Sequence, residues 1–425
     1  MSENIETTRL TSGLTILTEK MPGLRSATVG IWLKSGSRYE PVELNGIHHF
    51  IEHAVFKGTP TRTAFEIAIE SDRLGGSLDA FTSHESTGFV IKAVDKMLPD
   101  AFDLLADMLA NPLFDEKELR REQKVIVEEM KMVEDTPEEY LGELFNHAFF
   151  PHHALGLPIE GTRKTVKSFD RERTAKFHAQ VFTPANLIIA AAGNIEHALI
   201  VELADKFFST KAAKIRNPKS EIRIPEIAAP ILIQKKPDLE QAHLLIAAPF
   251  VCATSEKRYA AHLLTSIIGG GTSSRLWQTV REKHGLAYSV GASAVSFQDC
   301  GVFSIYAGTS PDQLEKTIDL AIAEIRKIVR NGVTRKELEL VKAQAAAAIL
   351  FGLEDSSVRA TLLAENEMTH GRQISPDETL AKIETVSLEE VQAVAKEFFQ
   401  TDRIALAALG NVNGLKIKRA RLAVS

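Results

Sequence analysis

His49-Phe50-Ile51-Glu52-His53 is the stretch of this sequence best equipped for chemistry. Two histidines four residues apart lie on one face of a helix, one turn above each other, so both imidazoles can reach one metal ion. Glu52 sits about 100° round the helix from His53, where it can touch a water on that metal without being a ligand. The order H-x-x-E-H reverses the commoner H-E-x-x-H motif. Two neutral nitrogen donors plus a carboxylate base are the kit for metal-assisted hydrolysis. Short motifs also arise by chance, and two satisfied histidines at the surface or in the core are the competing reading.

The flanking residues predict the helix that would position these groups. Ile47, Phe50, Ile51, Ala54 and Val55 form an apolar stripe, with the two histidines facing the other way. Asn45 is the expected N-cap, and Gly58 with Pro60 ends the run. A catalytic zinc takes three protein ligands and keeps one open position, so a third donor is needed. The segment from Asp115 to about Val133 reads as a helix dense in carboxylates. Asp115 and Glu118 suggest a capping box, and Leu119, Ile126, Met130 and Val133 supply its buried stripe. Glu122 and Glu129 are two turns apart on one face, so one could ligate while the other holds a histidine tautomer. Spacing alone does not choose among Glu122, Glu128 and Glu129, and a solvated acidic face is the plain alternative for any one of them.

Gly46-Ile47-His48-His49-Phe50-Ile51-Glu52-His53, followed by Phe56-Lys57-Gly58-Thr59, resembles the zinc site of the insulinase/pitrilysin metallopeptidases. The branch it is most similar to is the one typified by mitochondrial processing peptidase and its bacterial relatives. Arg121-Glu122 through Val125-Ile126-Val127-Glu128-Glu129 resembles that family's downstream ligand helix. The resemblance implies that His49, His53 and Glu129 hold one Zn²⁺ per chain. It makes Glu52 the general base and Glu122 the acid behind a ligand histidine. It extends over essentially the whole chain.

At 425 residues the chain is too long for one ordinary core, and two or more domains are expected. Hydrophobic (44%) and charged (25%) fractions are those of a globular protein. A net charge of -6 leaves no electrostatic footprint for nucleic acid. No run approaches the roughly 20 apolar residues of a membrane span. The polar start, Met1-Ser2-Glu3-Asn4, lacks a signal-peptide core. With only Cys252 and Cys300, a reducing cytoplasm is the expected setting.

Composition turns to Ser, Lys, Arg, Asn and Pro over 209–226, which predicts a linker at 213–226 between domains 1–212 and 227–425. The second half then repeats the first. His243–Ala248 answers Thr28–Leu33 as a strand, and Val302–Ala307 answers Phe89–Val94. Ile404 to Asn411 matches Leu187 to Asn194, each after an amphipathic helix ending in Phe. Strands and helices do not alternate strictly, so the expected fold class is α+β. It has two homologous domains, each a mainly antiparallel or mixed sheet with helices packed on it.

The second half has no H-x-x-E-H, so metal chemistry has one centre per chain. It carries Gly269-Gly270-Gly271-Thr272-Ser273-Ser274-Arg275, which lacks the Lys-Ser/Thr of a P-loop, then Arg281 and Tyr288. From the residues alone, these last two are a cation and a phenol near a helix end. The resemblance adds that the family carries an arginine and a tyrosine at this spacing to grip substrate carbonyls and the developing oxyanion. It further implies an extended peptide substrate lying beside an edge strand at Asp79, Ala80, Phe81 and Thr82. The family's working unit has four such domains, so a homodimer with composite active sites is expected here. The family has Asn where Asp79 stands and a small residue where His48 stands. Both departures bear on substrate preference. His48 is expected to pack, face solvent or support a ligand.

Overall fold

The computed structural model describes residues 5–208 and 224–424. The linker expected at 213–226 therefore lies outside the described residues up to position 223. The chain forms two compact units. The first comprises 1–132, 157–222 and 351–375, and the second 133–156, 223–350 and 376–425.

Six strands build the sheet of the first unit: β1 (Ile5–Arg9), β2 (Thr15–Lys20), β3 (Ser26–Leu33), β4 (Ser77–Thr82), β5 (Thr87–Val94) and β6 (Leu187–Gly193). Their spatial order is β1-β2-β6-β3-β5-β4. β2 and β6 run parallel, and the other neighbours are antiparallel. Five strands build the second sheet: β7 (Ile231–Lys235), β8 (Ala242–Phe250), β9 (Ala287–Ser296), β10 (Gly301–Thr309) and β11 (Ala405–Gly410). Their order is β7-β11-β8-β10-β9, with β7 and β11 parallel and the rest antiparallel. Removing β1 leaves the same order and the same directions in both sheets. The three strand pairs matched in the sequence, β3 with β8, β5 with β10 and β6 with β11, occupy equivalent positions. The fold class is the expected one, two sheets each packed by helices.

β3 and β6 are buried almost throughout because both faces of the sheet are covered. On one face, Val29, Ile31, Phe89 and Ile189 pack with Phe50, Ile51, Phe102 and Leu105 from helices of the same half. On the other, Trp32, Ile188, Ala190 and Ala192 pack against Ala360, Leu363 and Ala364. These last three come from the helix Ser356–His370, in the C-terminal half of the sequence. Alanine facing alanine lets helix and sheet approach closely. The helix is fixed at its start, where the Thr28 hydroxyl bonds that of Ser356 (2.8 Å) and Lys92 reaches Asp355 (3.0 Å).

The second unit does the reverse. One face of its sheet carries Leu244, Ile246, Phe303 and Leu406 against helices of the C-terminal half. The opposite face, Ala247, Ala405, Ala407 and Leu409, is covered by Leu141, Phe145 and Phe149 of the helix Pro137–Phe149, from the N-terminal half. Each unit thus takes one helix from across the middle of the chain.

Candidate metal centre

The motif helix spans Ile47–Ala54. Ile47, Phe50, Ile51 and Ala54, at i, i+3, i+4 and i+7, are all buried, which turns His49, Glu52 and His53 away from the core. Its start differs from the expectation. Asn45 is not the cap; its amide donates to the carbonyl of Pro158 at 3.0 Å. Gly46 holds the capping position with φ +94, and a Cβ there would lie 2.5 Å from the Glu160 carbonyl oxygen. The orphan amides are taken by Glu40 instead. Its carboxylate accepts from Gly46 N (2.7 Å), from His48 N (2.8 Å) and lies 2.9 Å from His48 Nδ1. His48 is buried, bonds Ser35 Oγ through its other nitrogen, and meets the Phe177 ring edge-on. It packs and tethers the helix start. Glu40→Ala would strand two backbone amides and an imidazole in a buried site. We expect it to destabilise the fold by about 2–3 kcal/mol, read as a lower urea midpoint with unchanged m.

The partner helix is Glu116–Asp135. Asp115 caps it by accepting from Lys117 N and Glu118 N; among the described residues the return bond of a capping box is absent, and Glu118 pairs with Arg121. Leu119, Ile126 and Met130 are buried as expected, and Val133 is half-buried. Glu122 is also buried, 5% exposed.

Donor atoms of His49, His53 and Glu129 all lie within 4.8 Å of one another. Among the described residues they are the one such group of His, Cys, Asp or Glu side chains. The His49 and His53 rings stand 4.7 Å apart. His53 is held between two carboxylates two helical turns apart: Nδ1 meets Glu122 Oε2 at 3.1 Å, and Nε2 lies 3.5 Å from Glu129 Oε2. The Nδ1 bond leaves Nε2 as the free donor. Lys57 Nζ closes the far side of Glu122 at 2.9 Å. Glu128 points elsewhere, pairing with Lys131. Nδ1 of His49 is buried with no hydrogen-bond partner among the described residues. An orphaned imidazole nitrogen beside a second histidine and a carboxylate is the donor chemistry that zinc takes, and the residues fit that ion.

Burial, with the neighbouring His53 charge, pushes His49 down to about 4, so it is a neutral donor at pH 7. Burial lowers His53 too, but the Glu122 bond and the charges of Glu129 and Glu52 outweigh it and raise the imidazole overall. Glu52 is raised by burial, against the Thr82 hydrogen bond and the His53 charge. Glu129 is raised chiefly by burial. Burial would raise Glu122 as well, yet its bonds to His53 and Lys57 hold it below the usual carboxylate range. Two carboxylates on one imidazole are thus driven in opposite directions, a pattern typical of working sites.

Asp79, Ala80, Phe81 and Thr82 lie on β4, the edge of the first sheet, paired with Val90, Phe89, Gly88 and Thr87 of β5. Asp79 and Phe81 are exposed and Ala80 and Thr82 half-buried. The Thr82 hydroxyl donates to Glu52 Oε2 at 2.6 Å. Arg281 and Tyr288 belong to the second unit. The Arg281 guanidinium sits over the rings of Trp277 and Tyr288 (4.1 and 4.4 Å) and donates to the Tyr288 carbonyl at 2.7 Å. Tyr288 is 79% exposed. The Arg281 segment, Trp277–Lys283, is π-helical, a distortion found often at functional sites. Sequence reasoning gave Lys57, quoted only within the motif, no role, and missed Glu40 and the Thr82–Glu52 bond. None leaves a local pattern, since each acts on a group distant in sequence or outside the helix periodicity.

The comparisons with known proteins place this two-sheet chain in a family of zinc metallopeptidases. Residues 15–163 match the family described as insulinase (peptidase family M16), and residues 168–345 match the peptidase M16 inactive domain. An uncharacterized zinc protease of Streptomyces coelicolor is 36% identical over 99% of this chain and 93% of its own length. The uncharacterized zinc protease YmxG of Bacillus subtilis is 37% identical, over 94% of this chain and 96% of its own. The chain belongs to the insulinase family, peptidase family M16. A protease from Helicobacter pylori has the same fold, with a TM-score of 0.87 and 23% identity over 96% of this chain and 99% of that one. No described helix is long and apolar enough to cross a membrane.

Proposed function

We propose that this chain is a zinc-dependent endopeptidase that hydrolyses short or unfolded peptides. The observation that carries the proposal is the donor cluster of His49, His53 and Glu129, with Glu52 on the same helix as the two histidines. His49, His53 and Glu129 would hold the ion, and Glu122 would keep His53 in the right tautomer. Zinc, when bound, supplies Lewis acidity that acidifies water and polarises a carbonyl. Glu52 takes a proton from the attacking water and returns it to the nitrogen of the departing amine. The exposed edge of β4 receives the peptide as an added strand, mostly through backbone groups, which suits sequence-tolerant cleavage. The test is metal analysis of the protein together with cleavage of an unstructured peptide. Turnover should follow zinc content and stop on chelation. A catalytically silent scaffold is the second reading, favoured by the match of residues 168–345 to an inactive domain. The complete donor set opposes it, and a metal-free protein that leaves the peptide intact would favour it. With only Cys252 and Cys300 in the sequence, a cytoplasmic setting is the one we infer.

The assembly we infer is a homodimer. One chain carries both the metal donors and the Arg281/Tyr288 pair, in different units, and the two-fold is the commonest oligomer symmetry. Arg281 and Tyr288 of one subunit would serve the zinc of the other, within a chamber closed to folded proteins. Glu52→Gln and Tyr288→Phe homodimers should each be nearly inactive. Mixed and allowed to exchange subunits, they should regain activity, because one composite site per heterodimer is wholly wild type. No recovery after verified exchange would place the whole site in one subunit.

A further inference from the structure

The Glu52 side chain makes a single hydrogen bond among the described residues, from the Thr82 hydroxyl at 2.6 Å. Thr82 has no local need for that contact, since its backbone pairs with Thr87 in the sheet. The end of β4 that carries it is pinned. Ser83 N donates to Ser86 O (2.8 Å), Ser37 N to Ser83 O (3.1 Å) and Arg38 N to His84 O (2.9 Å). Ser37 Oγ bonds the His84 ring at 2.9 Å, and Arg38 pairs with Glu85. Gly36 permits this approach: a Cβ there would sit 2.3 Å from the Ser83 carbonyl oxygen. Two chain segments are thus locked together just beyond the threonine.

We infer that Thr82 is a positioning residue that fixes the carboxylate of Glu52 for proton transfer, an inference that rests on the peptidase reading above. A glutamate side chain has three rotatable bonds, and a base must stay within hydrogen-bond reach of the proton it takes. A hydroxyl donor on Oε2 anchors one oxygen and leaves Oε1 to accept. The bond outlasts the transfer: with the proton on Oε1, Oε2 becomes the carbonyl oxygen and still accepts from Thr82. The proton taken from water therefore goes to Oε1 and leaves from Oε1 to the amine nitrogen, with no reorientation between. Because Thr82 lies on the strand that receives the peptide, base and substrate are referred to one rigid element.

Thr82→Val removes the hydroxyl and Thr82→Ser keeps it. Each is measured in the full-length, zinc-loaded protein for metal content, thermal midpoint, kcat and KM on an unstructured peptide. Thr82→Val should bind zinc like wild type and lose roughly 10- to 100-fold in kcat with KM little changed, the worth of one hydrogen bond to a charged group. Thr82→Ser should restore most of the turnover. In the Glu52→Gln background Thr82→Val should cost nothing further, since the two act as a unit. Wild-type kcat in Thr82→Val, equal losses in both variants, or a loss explained by released zinc would each overturn the inference. An inactive zinc-loaded wild type would instead overturn the peptidase reading itself.

Discussion

Glu52→Gln is expected to keep its zinc and lose nearly all turnover. The change is isosteric, and its amide oxygen can still accept from Thr82, so the helix and both histidines stay in place. What disappears is the ability to take a proton, and general-base catalysis is worth on the order of 10²–10⁴-fold. Metal analysis beside single-turnover cleavage reads both quantities on one sample. Released zinc would make Glu52 a ligand and undo the assignment of roles.

The second large effect is on metal affinity. Glu129→Gln should weaken zinc binding severely, because it removes one of three donors and a negative charge. Glu122→Gln should weaken it by roughly 10–100-fold, the cost of losing a partner behind a ligand. The geometry places the two carboxylates on opposite nitrogens of His53, Glu122 at 3.1 Å and Glu129 at 3.5 Å. Competition titration with a chelating dye ranks the variants. The opposite order would move the ligand position by two helical turns and leave Glu129 as the outer residue.

Some of this was legible in the sequence for definite reasons. The stripe Ile47, Phe50, Ile51 and Ala54 sets which way the helix faces, and four-residue spacing then forces His49 and His53 together. β6 and β11 could be matched because both end in Gly-Asn after a buried strand, where φ of +131 and +141 at Gly193 and Gly410 calls for glycine. Other features were out of reach. Pro137–Phe149 and Ser356–His370 are helices whose own residues do not say which sheet they cover. Glu40 caps a helix from six residues before Gly46, outside any capping pattern. Thr82 reads as part of an edge strand, and only the folded backbone brings its hydroxyl to Glu52.

The helices exchanged across the middle of the chain also set an order of events during synthesis. A nascent chain ending at residue 350 holds all six strands of the first sheet and all but β11 of the second. Among the described residues, the cover over Trp32, Ile188 and Ala190 comes from Ala360, Leu363 and Ala364, which such a chain has not yet reached. An apolar sheet face left open in this way invites self-association. The protein's two halves are therefore poor candidates for independent life. A gene divided between 1–212 and 227–425 would yield two fragments, each holding the layer that the other lacks.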